Sequence, residues 1–416
     1  MSYAPEAELK NRDWEALFAH RAERMRASEI RELLKLLARG DIISFAGGIP
    51  DPALFPMAAM QRAHAEVLGD PALGSAALQY SVSEGYPPLR AWIVSRMARL
   101  GIACDIDNVM LTSGSQQALD LLAKLFLGRN DTALVTKPTY LGALQAFNTY
   151  EPRFAELKLD GNMTPAAYRE EAAAASSRLA MAYVVSDFAN PTGISVPRAA
   201  RERLLDAVAD LDIPLIEDTA YEALGYDGAA VPSCLALDVA RRGHIDSSRV
   251  IYCGTFSKTI APGLRLGWIC AAHDLVKKAV LAKQATDLHS SSLNQVVMHR
   301  VVTEVFERQV SRLAAAYAKR RDAMLAALER HMPEGVSWTR PGGGMFVWVT
   351  LPEGLDGAEL LAAAIEREKV AFVPGKAFYF DGTGANHIRL SFSLMPEDRI
   401  EEGIARLGRV IKGWGK

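Results

Sequence analysis

The chain has 416 residues, of which 50% are hydrophobic and 23% are charged, with a formal net charge of -2. This balance is that of an ordinary soluble globular protein, and it implies no strong electrostatic field for binding nucleic acid. The length exceeds the roughly 100–200 residues of one compact domain, so we expect two domains of unequal size.

The sequence contains no sign of a targeting segment, a membrane span or a metal site. The N-terminus lacks a basic head followed by an apolar run, and nowhere do about 18 apolar residues follow one another. We therefore expect a cytoplasmic protein. None of the four cysteines stands in a C-x-x-C pair or at metal-ligand spacing from a histidine, so we expect buried, reduced thiols and no metal.

Before residue 40 the chain is predicted to be helical, over DWEALFAHRAERMRASEIRELLKLLARG (13–40). Ser28 is a possible N-cap, Gly40 a possible end, and the apolar positions between them are Ile30, Leu33, Leu34 and Leu37. The next segment, IISFAGGIPDPALFP, contains Gly47-Gly48 and three prolines. This composition predicts an irregular segment that crosses a surface or a cleft.

From about residue 60 to 290, short β-rich runs alternate with helical stretches, which predicts an α/β domain with a mostly parallel sheet. A long helical stretch from about Leu293 to Arg330 follows. The remaining chain mixes strands and helices and predicts a smaller α+β domain. The expected division is an N-terminal helix and irregular segment (1–55), a large domain (56–300) and a small C-terminal domain (301–416).

The most informative segment is GTFSKTIAPGLRLGW, residues 254–268. Lys258 follows a predicted buried strand and lies among small residues, which are unusual surroundings for a surface lysine. A desolvated lysine, or one near other cations, has a lowered pKa and can attack a carbonyl carbon. Ser257 and Arg265, which the Pro-Gly turn brings back, would then bind one phosphate together. The alternative is an ordinary loop lysine beside a structural arginine.

A second segment, LTSGSQQALD, joins a predicted strand to an amphipathic helix through a glycine and two serines. The backbone N–H groups of Ser115 and Gln116 then face outward at the positive end of the helix, which makes an anion site. Because any α/β protein has several such turns, an ordinary connection is the alternative.

Two other strand ends carry polar side chains that suit a pyridine ring. In EDTAYEALGY, Asp218 can pair with a protonated ring nitrogen, and Tyr221 can hydrogen-bond a phenolate oxygen. In VVSDFANPTG, Asn190 can donate to a ring oxygen, and the bond from Asn190 to Pro191 is a candidate for a cis peptide. A helix N-cap aspartate and a plain turn are the respective alternatives.

The chain resembles the fold-type I, class I/II aminotransferases through six ordered motifs: GSQQAL, KPTY, NPTG, EDTAY, SKTIAPGLRLGW and RLSFS. It is similar to the 2-aminoadipate, aromatic and kynurenine aminotransferase branch through the runs FAGGIPDPALFP, QYSVSEGYPPLR and GGGMFVW. The resemblance extends from about residue 15 to 412. It implies the PLP-transferase fold, pyridoxal 5'-phosphate (PLP) as cofactor, and a homodimer.

The resemblance also implies a role for each motif residue. Lys258 matches the lysine that holds PLP as a Schiff base and moves the proton between the substrate Cα and the cofactor C4′. For the ring, it implies Asp218 on the pyridinium nitrogen, Tyr221 and Asn190 on the phenolate oxygen, and Tyr140 stacked on one face. For the phosphate, it implies Ser115, Gln116, Ser257 and Arg265, with Tyr80 from the neighbouring subunit.

Three further matches concern the substrate. Arg389, in HIRLSFS, matches the arginine that binds the substrate α-carboxylate with its planar fork, and a surface arginine is the alternative. Gly48 matches a position where backbone runs beside the substrate, which the missing side chain permits. Arg31, in IRELL, matches a helix arginine that can meet a distal carboxylate, and a solvated helix charge is the alternative.

One motif departs from the family pattern. SDFANPTG carries Asp187, Phe188 and Ala189 where relatives often have a proline, a polar or aromatic residue and a glutamine. This difference leaves the detail of the pocket wall open but does not affect the match of Asn190.

The activity implied is transfer of an amino group between an L-α-amino acid, of 2-aminoadipate, aromatic or branched-chain type, and a 2-oxo acid such as 2-oxoglutarate. PLP-dependent lyases and decarboxylases share the scaffold and stay as the alternative. An effector-sensing domain of a transcription regulator is disfavoured, because only about 40 residues precede FAGG, without a helix-turn-helix pattern or a basic balance.

Overall fold

The computed structural model describes residues 14–25, 41–228 and 230–414, and the fold is given for these residues. The helix predicted between residues 28 and 40 lies outside them, and so does Arg31. Its position relative to the site therefore stays a prediction.

The residues just before that segment correct one expectation. They were predicted to be α-helical but form two 3-10 turns, Glu15–Leu17 and His20–Arg24. Ala19 separates the turns with extended torsions, φ -64° and ψ 147°. Arg24 donates a hydrogen bond to the carbonyl oxygen of Pro152, 3.1 Å away. This contact holds the segment along the protein surface.

The described residues contain one large sheet, which follows a two-residue strand, β1 (Ile43–Ser44). Its seven strands are β2 (Val109–Thr112), β3 (Thr132–Val135), β4 (Arg153–Glu156), β5 (Leu179–Val185), β6 (Leu215–Asp218), β7 (Val250–Thr255) and β8 (Gly267–Cys270). Their spatial order is β2-β8-β7-β6-β5-β3-β4, and only β8 runs antiparallel to its neighbours. The predicted α/β domain with a mostly parallel sheet is confirmed.

The sheet is buried on both faces, as parallel sheets are. Leu215 and Val250 point into one hydrophobic cluster, whereas Ile216 and Ile251, the next residues along the same strands, point into the other. The helices that cover the two faces and continue the chain are Met57–Gly69, Pro71–Ala77, Pro87–Arg99, Ser115–Phe126, Leu141–Asn148, Pro165–Ala174, Arg198–Leu211, Cys234–Arg242 and His273–Gln284. None of the helices in the described residues combines the length and apolar character needed to cross a membrane.

A 40-residue helix, Ser292–His331, matches the predicted long helical stretch and is about 60 Å long. It packs against helix Met57–Gly69 and against the final helix, Glu397–Lys412. The predicted boundary at residue 300 falls inside this helix. The division into two domains stays a prediction.

The C-terminal part is α+β, as predicted. Its strands are β9 (Ser337–Trp338), β10 (Phe346–Thr350), β11 (Val370–Ala371), β12 (Val373–Pro374) and β13 (His387–Ser391). Among the residues that the structure describes, β12-β13-β10-β9 form an antiparallel sheet, with helix Gly357–Ala363 beside it. Strand β1 pairs in parallel with β11, so the irregular segment that follows β1 starts from this C-terminal part.

The carboxyl ends of three parallel strands are aligned. Val185 of β5 pairs with Asp218 of β6, and Asp218 pairs with Cys253 of β7. Open α/β sheets bind ligands at this edge. The polar motifs that follow β5, β6 and β7 therefore meet at one place.

Candidate active site

Lys258 lies three residues beyond the end of β7 and is half-buried. Its Nζ donates a hydrogen bond to the carbonyl oxygen of Gly48, 3.1 Å away. Burial, together with the positive charges of Arg389 and Arg265, lowers the pKa of Lys258 from 10.5 to about 8. A large fraction of this amine is therefore neutral, and nucleophilic, at mildly alkaline pH.

Asp218 ends β6 and is 3% exposed. The Tyr183 hydroxyl donates to its Oδ2 atom at 2.9 Å, whereas Oδ1 is buried and has no hydrogen-bond partner among the described residues. Burial raises the pKa of Asp218 from 3.8 to about 6, against the opposing effects of the Tyr183 hydroxyl, the nearby Ala220 backbone N–H and Lys258. A buried carboxylate oxygen without a donor is suited to a protonated ring nitrogen.

Tyr221 and Asn190 lie together beside these groups. Tyr221 is buried, its hydroxyl is hydrogen-bonded to the Asn190 side chain, and burial raises its pKa above the usual value of 10. The Lys258 Nζ atom lies 5.8 Å from the centroid of the Tyr221 ring. The peptide bond between Asn190 and Pro191 is cis, as the sequence suggested.

Arg389 projects from β13 and is 2% exposed. Its Nη1 donates to Asn190 Oδ1 at 2.8 Å and its Nη2 to the Ala46 carbonyl oxygen at 2.7 Å, while Nε is buried without a partner among the described residues. Among the described residues, no carboxylate is one of the groups that shift its pKa. Burial lowers the pKa of Arg389 to about 10, although Tyr221 opposes this effect. Such a cation is suited to a carboxylate ligand.

Gly48 lies between the two cations. A Cβ atom there would lie 2.8 Å from Phe346 Cζ and 3.6 Å from Arg389 Nη2. Any side chain would therefore push against the Phe346 ring and enter the space in front of the guanidinium. The sequence predicted that backbone runs beside the substrate at Gly48, and this is possible only because Gly48 has no side chain.

A second cluster forms around the start of helix Ser115–Phe126. Gly114, the residue before it, has φ +81°, and a Cβ atom there would lie 2.6 Å from Arg265 Nη2. The Ser257 hydroxyl accepts a hydrogen bond from Thr255 Oγ1 at 3.0 Å. A helix N-terminus facing a guanidinium group is suited to a phosphate dianion.

Gln116 and Tyr140 both lie against Gly142, next to this cluster. Gln116 Nε2 donates to the Gly142 carbonyl oxygen at 2.7 Å, so its side chain is engaged and its backbone N–H is the group left to face an anion. Tyr140 directly precedes helix Leu141–Asn148 and is half-buried. A Cβ atom at Gly142 would lie 2.5 Å from Tyr140 Cζ, so the ring leans over that glycine.

Tyr80 is oriented toward solvent. It is 79% exposed, and its ring lies edge-on to that of His289, 5.9 Å away. It therefore does not join the buried cluster within one chain. No group of three or more His, Cys, Asp and Glu side chains in residues 14–25, 41–228 and 230–414 is arranged to hold a metal ion.

Sequence reasoning missed two aromatic residues of the site. Tyr183 holds Asp218, and Phe346 lies under Arg389, whose Cζ is 4.4 Å from the ring centroid. The signal for Tyr183 was a single polar group in the otherwise aliphatic strand LAMAYVV. Phe346 stood in the quoted run GGGMFVW, but nothing local distinguished it from a core residue.

The arrangement fits PLP. Asp218 Oδ1 is buried without a donor among the described residues, which suits a ring nitrogen. The Tyr221 hydroxyl and the Asn190 amide suit a phenolate oxygen. The N-terminus of helix Ser115–Phe126, together with Arg265, suits a phosphate. The fold and these groups define a PLP-dependent enzyme of fold type I. Residues 41–407 match the family described as aminotransferase class I and II, and the chain belongs to that family. It is a PLP-dependent aminotransferase, which exchanges amino groups between amino acids and 2-oxo acids.

Three similar proteins have names that describe this activity. The aromatic-amino-acid aminotransferase 1 of Thermococcus litoralis is 41% identical over 96% of this chain and 95% of its own. The α-aminoadipate aminotransferase of Thermus thermophilus, solved with N-(5'-phosphopyridoxyl)-L-leucine, is 41% identical, with a TM-score of 0.85 over 96% of this chain and 98% of its own. The kynurenine aminotransferase of Pyrococcus horikoshii is 42% identical, with a TM-score of 0.89 over 97% of this chain and 99% of its own.

Proposed function

We propose that this aminotransferase acts on α-amino acids with apolar, aromatic or 2-aminoadipate side chains and uses a 2-oxo acid such as 2-oxoglutarate as acceptor. The observation that carries the proposal is the pair of cations on either side of Gly48. Lys258 donates to the Gly48 carbonyl oxygen, and the Arg389 guanidinium, without a carboxylate partner among the described residues, flanks the same glycine. A carboxylate bound by Arg389 therefore brings the adjacent amino group toward Lys258.

Lys258 would hold the cofactor at C4′ and then move the proton between the substrate Cα and that carbon. A general base works best when its pKa is near the working pH. The lowered pKa of Lys258, about 8, supports this role, because an amine with a pKa of 10.5 would be almost fully protonated at neutral pH.

Asp218, Tyr221 and Asn190 would hold the ring. When bound, PLP withdraws electrons from the substrate Cα, and it does so best with its ring nitrogen protonated. Asp218 Oδ1 would accept that proton's hydrogen bond, while Tyr183 fixes Oδ2 and so the orientation of the carboxylate. Tyr221 and Asn190 would donate to the phenolate oxygen, and Tyr140 would stack on the ring.

The phosphate would bind at the start of helix Ser115–Phe126. The backbone N–H groups of Ser115 and Gln116, the Ser257 hydroxyl and the Arg265 guanidinium are the donors in this cluster. The positive potential of Arg265 adds to that of Arg389 at the amine of Lys258.

The substrate side chain would meet mostly apolar surface. Ile49 follows Gly48 and is 47% exposed, and Ile194 follows the Asn190 turn and is 51% exposed. Within the described ranges, the cations at the site are Arg389, Arg265 and Lys258. The proposal already assigns them to the α-carboxylate, the phosphate and C4′, respectively. An acidic side chain would therefore need a cation from the N-terminal segment, for which Arg31 is the candidate.

A homodimer is part of the proposal, with Tyr80 reaching the phosphate of the neighbouring subunit. Several apolar side chains near Tyr80 are exposed: Leu78 is 70% exposed, Val82 52% and Leu288 45%. A cluster of this kind favours contact with another protein surface. We expect a dimer in sedimentation experiments and about tenfold weaker PLP binding by Tyr80→Phe, whose hydroxyl is lost. A monomeric active enzyme would contradict this arrangement. A cytoplasmic location also stays a prediction.

The half-reaction of the enzyme with single amino acids tests the substrate class. The purified yellow holoenzyme is mixed with leucine, phenylalanine, kynurenine or 2-aminoadipate, and the loss of its cofactor absorption is followed. We expect all four donors to react and Arg31→Ala to lower the efficiency with 2-aminoadipate by about tenfold, as for loss of a charge-assisted hydrogen bond. Unchanged rates with every donor would remove Arg31 from the proposal.

Two controls make this experiment specific. Arg24→Ala is the matched variant, because Arg24 lies in the same N-terminal region and already donates to the Pro152 carbonyl oxygen. When 2-oxoglutarate is added to complete the cycle, each turnover should consume one amino acid and one 2-oxoglutarate and release one 2-oxo acid and one glutamate. Release of ammonia or CO2 without need for a second oxo acid would favour the lyase or decarboxylase alternative.

A further inference from the structure

A network of polar side chains outside the Lys258 site is centred on Lys283, in the last turn of helix His273–Gln284. Lys283 is fully buried. Its Nζ donates to Asp287 Oδ1 at 2.8 Å, Gln117 Oε1 at 2.8 Å and Ser290 Oγ at 3.0 Å. A buried ammonium group is costly unless it is paired and hydrogen-bonded, and these acceptors use all three of its N–H groups.

The network reaches the turn that precedes the phosphate-binding helix. Gln117 Oε1, which accepts from Lys283, also accepts the backbone N–H of Ser113 at 2.7 Å. Ser113 Oγ donates to Asp287 Oδ2 at 3.0 Å. The next residue is Gly114, which lies against the Arg265 guanidinium. Lys283 is therefore two hydrogen bonds away from the backbone that directs the helix N-terminus.

The network also includes the segment that follows helix His273–Gln284. The Lys283 carbonyl oxygen accepts the N–H groups of Thr286 and Asp287 at 2.9 and 3.0 Å, which fixes this turn. Further on, Ser292 Oγ donates to the Gln79 carbonyl oxygen at 3.2 Å. The phosphate turn is thus tied to a segment that is itself held in place.

We propose that Lys283 is a positioning residue for the phosphate group of the cofactor. It fixes Ser113 and Gly114 through Gln117 and Asp287, so that the N–H groups at the helix start and the Arg265 guanidinium face the same point. The inference rests on the phosphate position proposed above. A lysine that served folding alone would not distinguish a phosphorylated cofactor from the same cofactor without phosphate.

The test compares the affinity of the apoenzyme for PLP with its affinity for pyridoxal, which lacks the phosphate. Lys283→Met is measured beside Lys277→Met, a lysine of the same helix with an exposed side chain, 3.6 Å from Asp274. We expect Lys283→Met to weaken PLP binding about tenfold and pyridoxal binding less than about twofold, whereas Lys277→Met changes neither. An equal loss for both ligands, or no loss, overturns the proposal.

Two more variants keep the test decisive. Gln117→Leu removes the acceptor that Lys283 shares with the Ser113 backbone N–H and keeps Lys283, so it decides the question if Lys283→Met does not fold. The same fall in the preference for PLP is expected, and a retained preference overturns the proposal. Arg265→Met tests the phosphate position itself: if it keeps the preference, that position is wrong. If Arg265→Met loses the preference while the other two variants keep it, only the role of Lys283 fails.

Discussion

Asp218→Asn should stabilise the folded apoprotein at neutral pH and impair the enzyme. The substitution keeps the size of the side chain and an oxygen that can accept from the Tyr183 hydroxyl. It removes the charge that would pair with the ring nitrogen of the cofactor. Loss of a charge-assisted hydrogen bond of about 1.5–3 kcal/mol corresponds to a fall in activity of at least about tenfold.

The gain in stability follows from the pKa of Asp218. Burial raises this pKa from 3.8 to about 6, so the carboxyl group is harder to ionise in the folded apoprotein than in the unfolded chain. At about 1.36 kcal/mol per pH unit, the ionised folded state is disfavoured by about 3 kcal/mol. Because the folded pKa is the higher one, the wild type loses this stability as pH rises from 3.8 to 6, and the loss is complete above 6.

Urea unfolding of the two apoproteins, followed by tryptophan fluorescence, measures the effect. Roughly half of the free-energy cost of ionising Asp218 in the folded state is present at pH 5, and all of it at pH 8. The difference in free energy of unfolding between Asp218→Asn and the wild type should therefore grow by about 1.5 kcal/mol from pH 5 to pH 8. Any cost of an unpaired amide N–H group in the variant does not depend on pH and cancels in the comparison. A stability difference that stays constant from pH 5 to pH 8 would refute the reasoning.

Three further outcomes are expected. The rate at which the apoenzyme captures PLP should rise with pH through a midpoint of about 8, because burial and nearby cations lower the pKa of Lys258 to about 8 and the neutral amine is the nucleophile; a stopped-flow midpoint near 10.5 would contradict this. Arg389→Lys keeps the charge but loses the guanidinium fork, so KM for the amino acid should rise about 10- to 100-fold in steady-state kinetics, and an unchanged KM would contradict this role. Asp187→Ala leaves the buried guanidinium of Arg201 without this carboxylate, which should lower the free energy of unfolding by about 3 kcal/mol; a urea midpoint equal to that of the wild type argues against the pair.

The sheet and the order of the site motifs could be predicted because both depend on local pattern. Short buried runs end in polar or small residues, and parallel strands bring those ends to one edge. Asp218 and Lys258 follow directly from this rule, since each lies at or just past the end of its strand.

Contacts between distant parts of the chain could not be predicted in the same way. Strand β1 has only two residues and pairs with another two-residue strand, with Ile43 opposite Val370. Neither run is long enough for a periodic signal. The same holds for Tyr183, which reaches Asp218 only because the register of β5 and β6 puts it there.

The N-terminal error has a different cause. The run before Met25 has helix-forming residues, but its apolar side chains remain exposed: Trp14 is 60% exposed and Leu17 64%. A short helix without tertiary packing is marginal, so propensity alone does not decide the outcome. Instead of an α-helix, these residues form 3-10 turns, and Arg24 donates a hydrogen bond to the Pro152 carbonyl oxygen.

The motif that departs from the family pattern, SDFANPTG, packs behind the site and helps to position Asn190. The buried Arg201 donates to Asp187 Oδ1 at 2.5 Å, on the side of the large sheet. Phe188 packs on the other side, where a Cβ atom at Gly344 would lie 2.6 Å from its own Cβ. Asn190 therefore follows two residues that are each held by a different part of the fold. Because Asn190 joins Tyr221 and Arg389 through one amide, changes at Asp187 or Phe188 should act on the direction of that amide rather than on contact with the substrate.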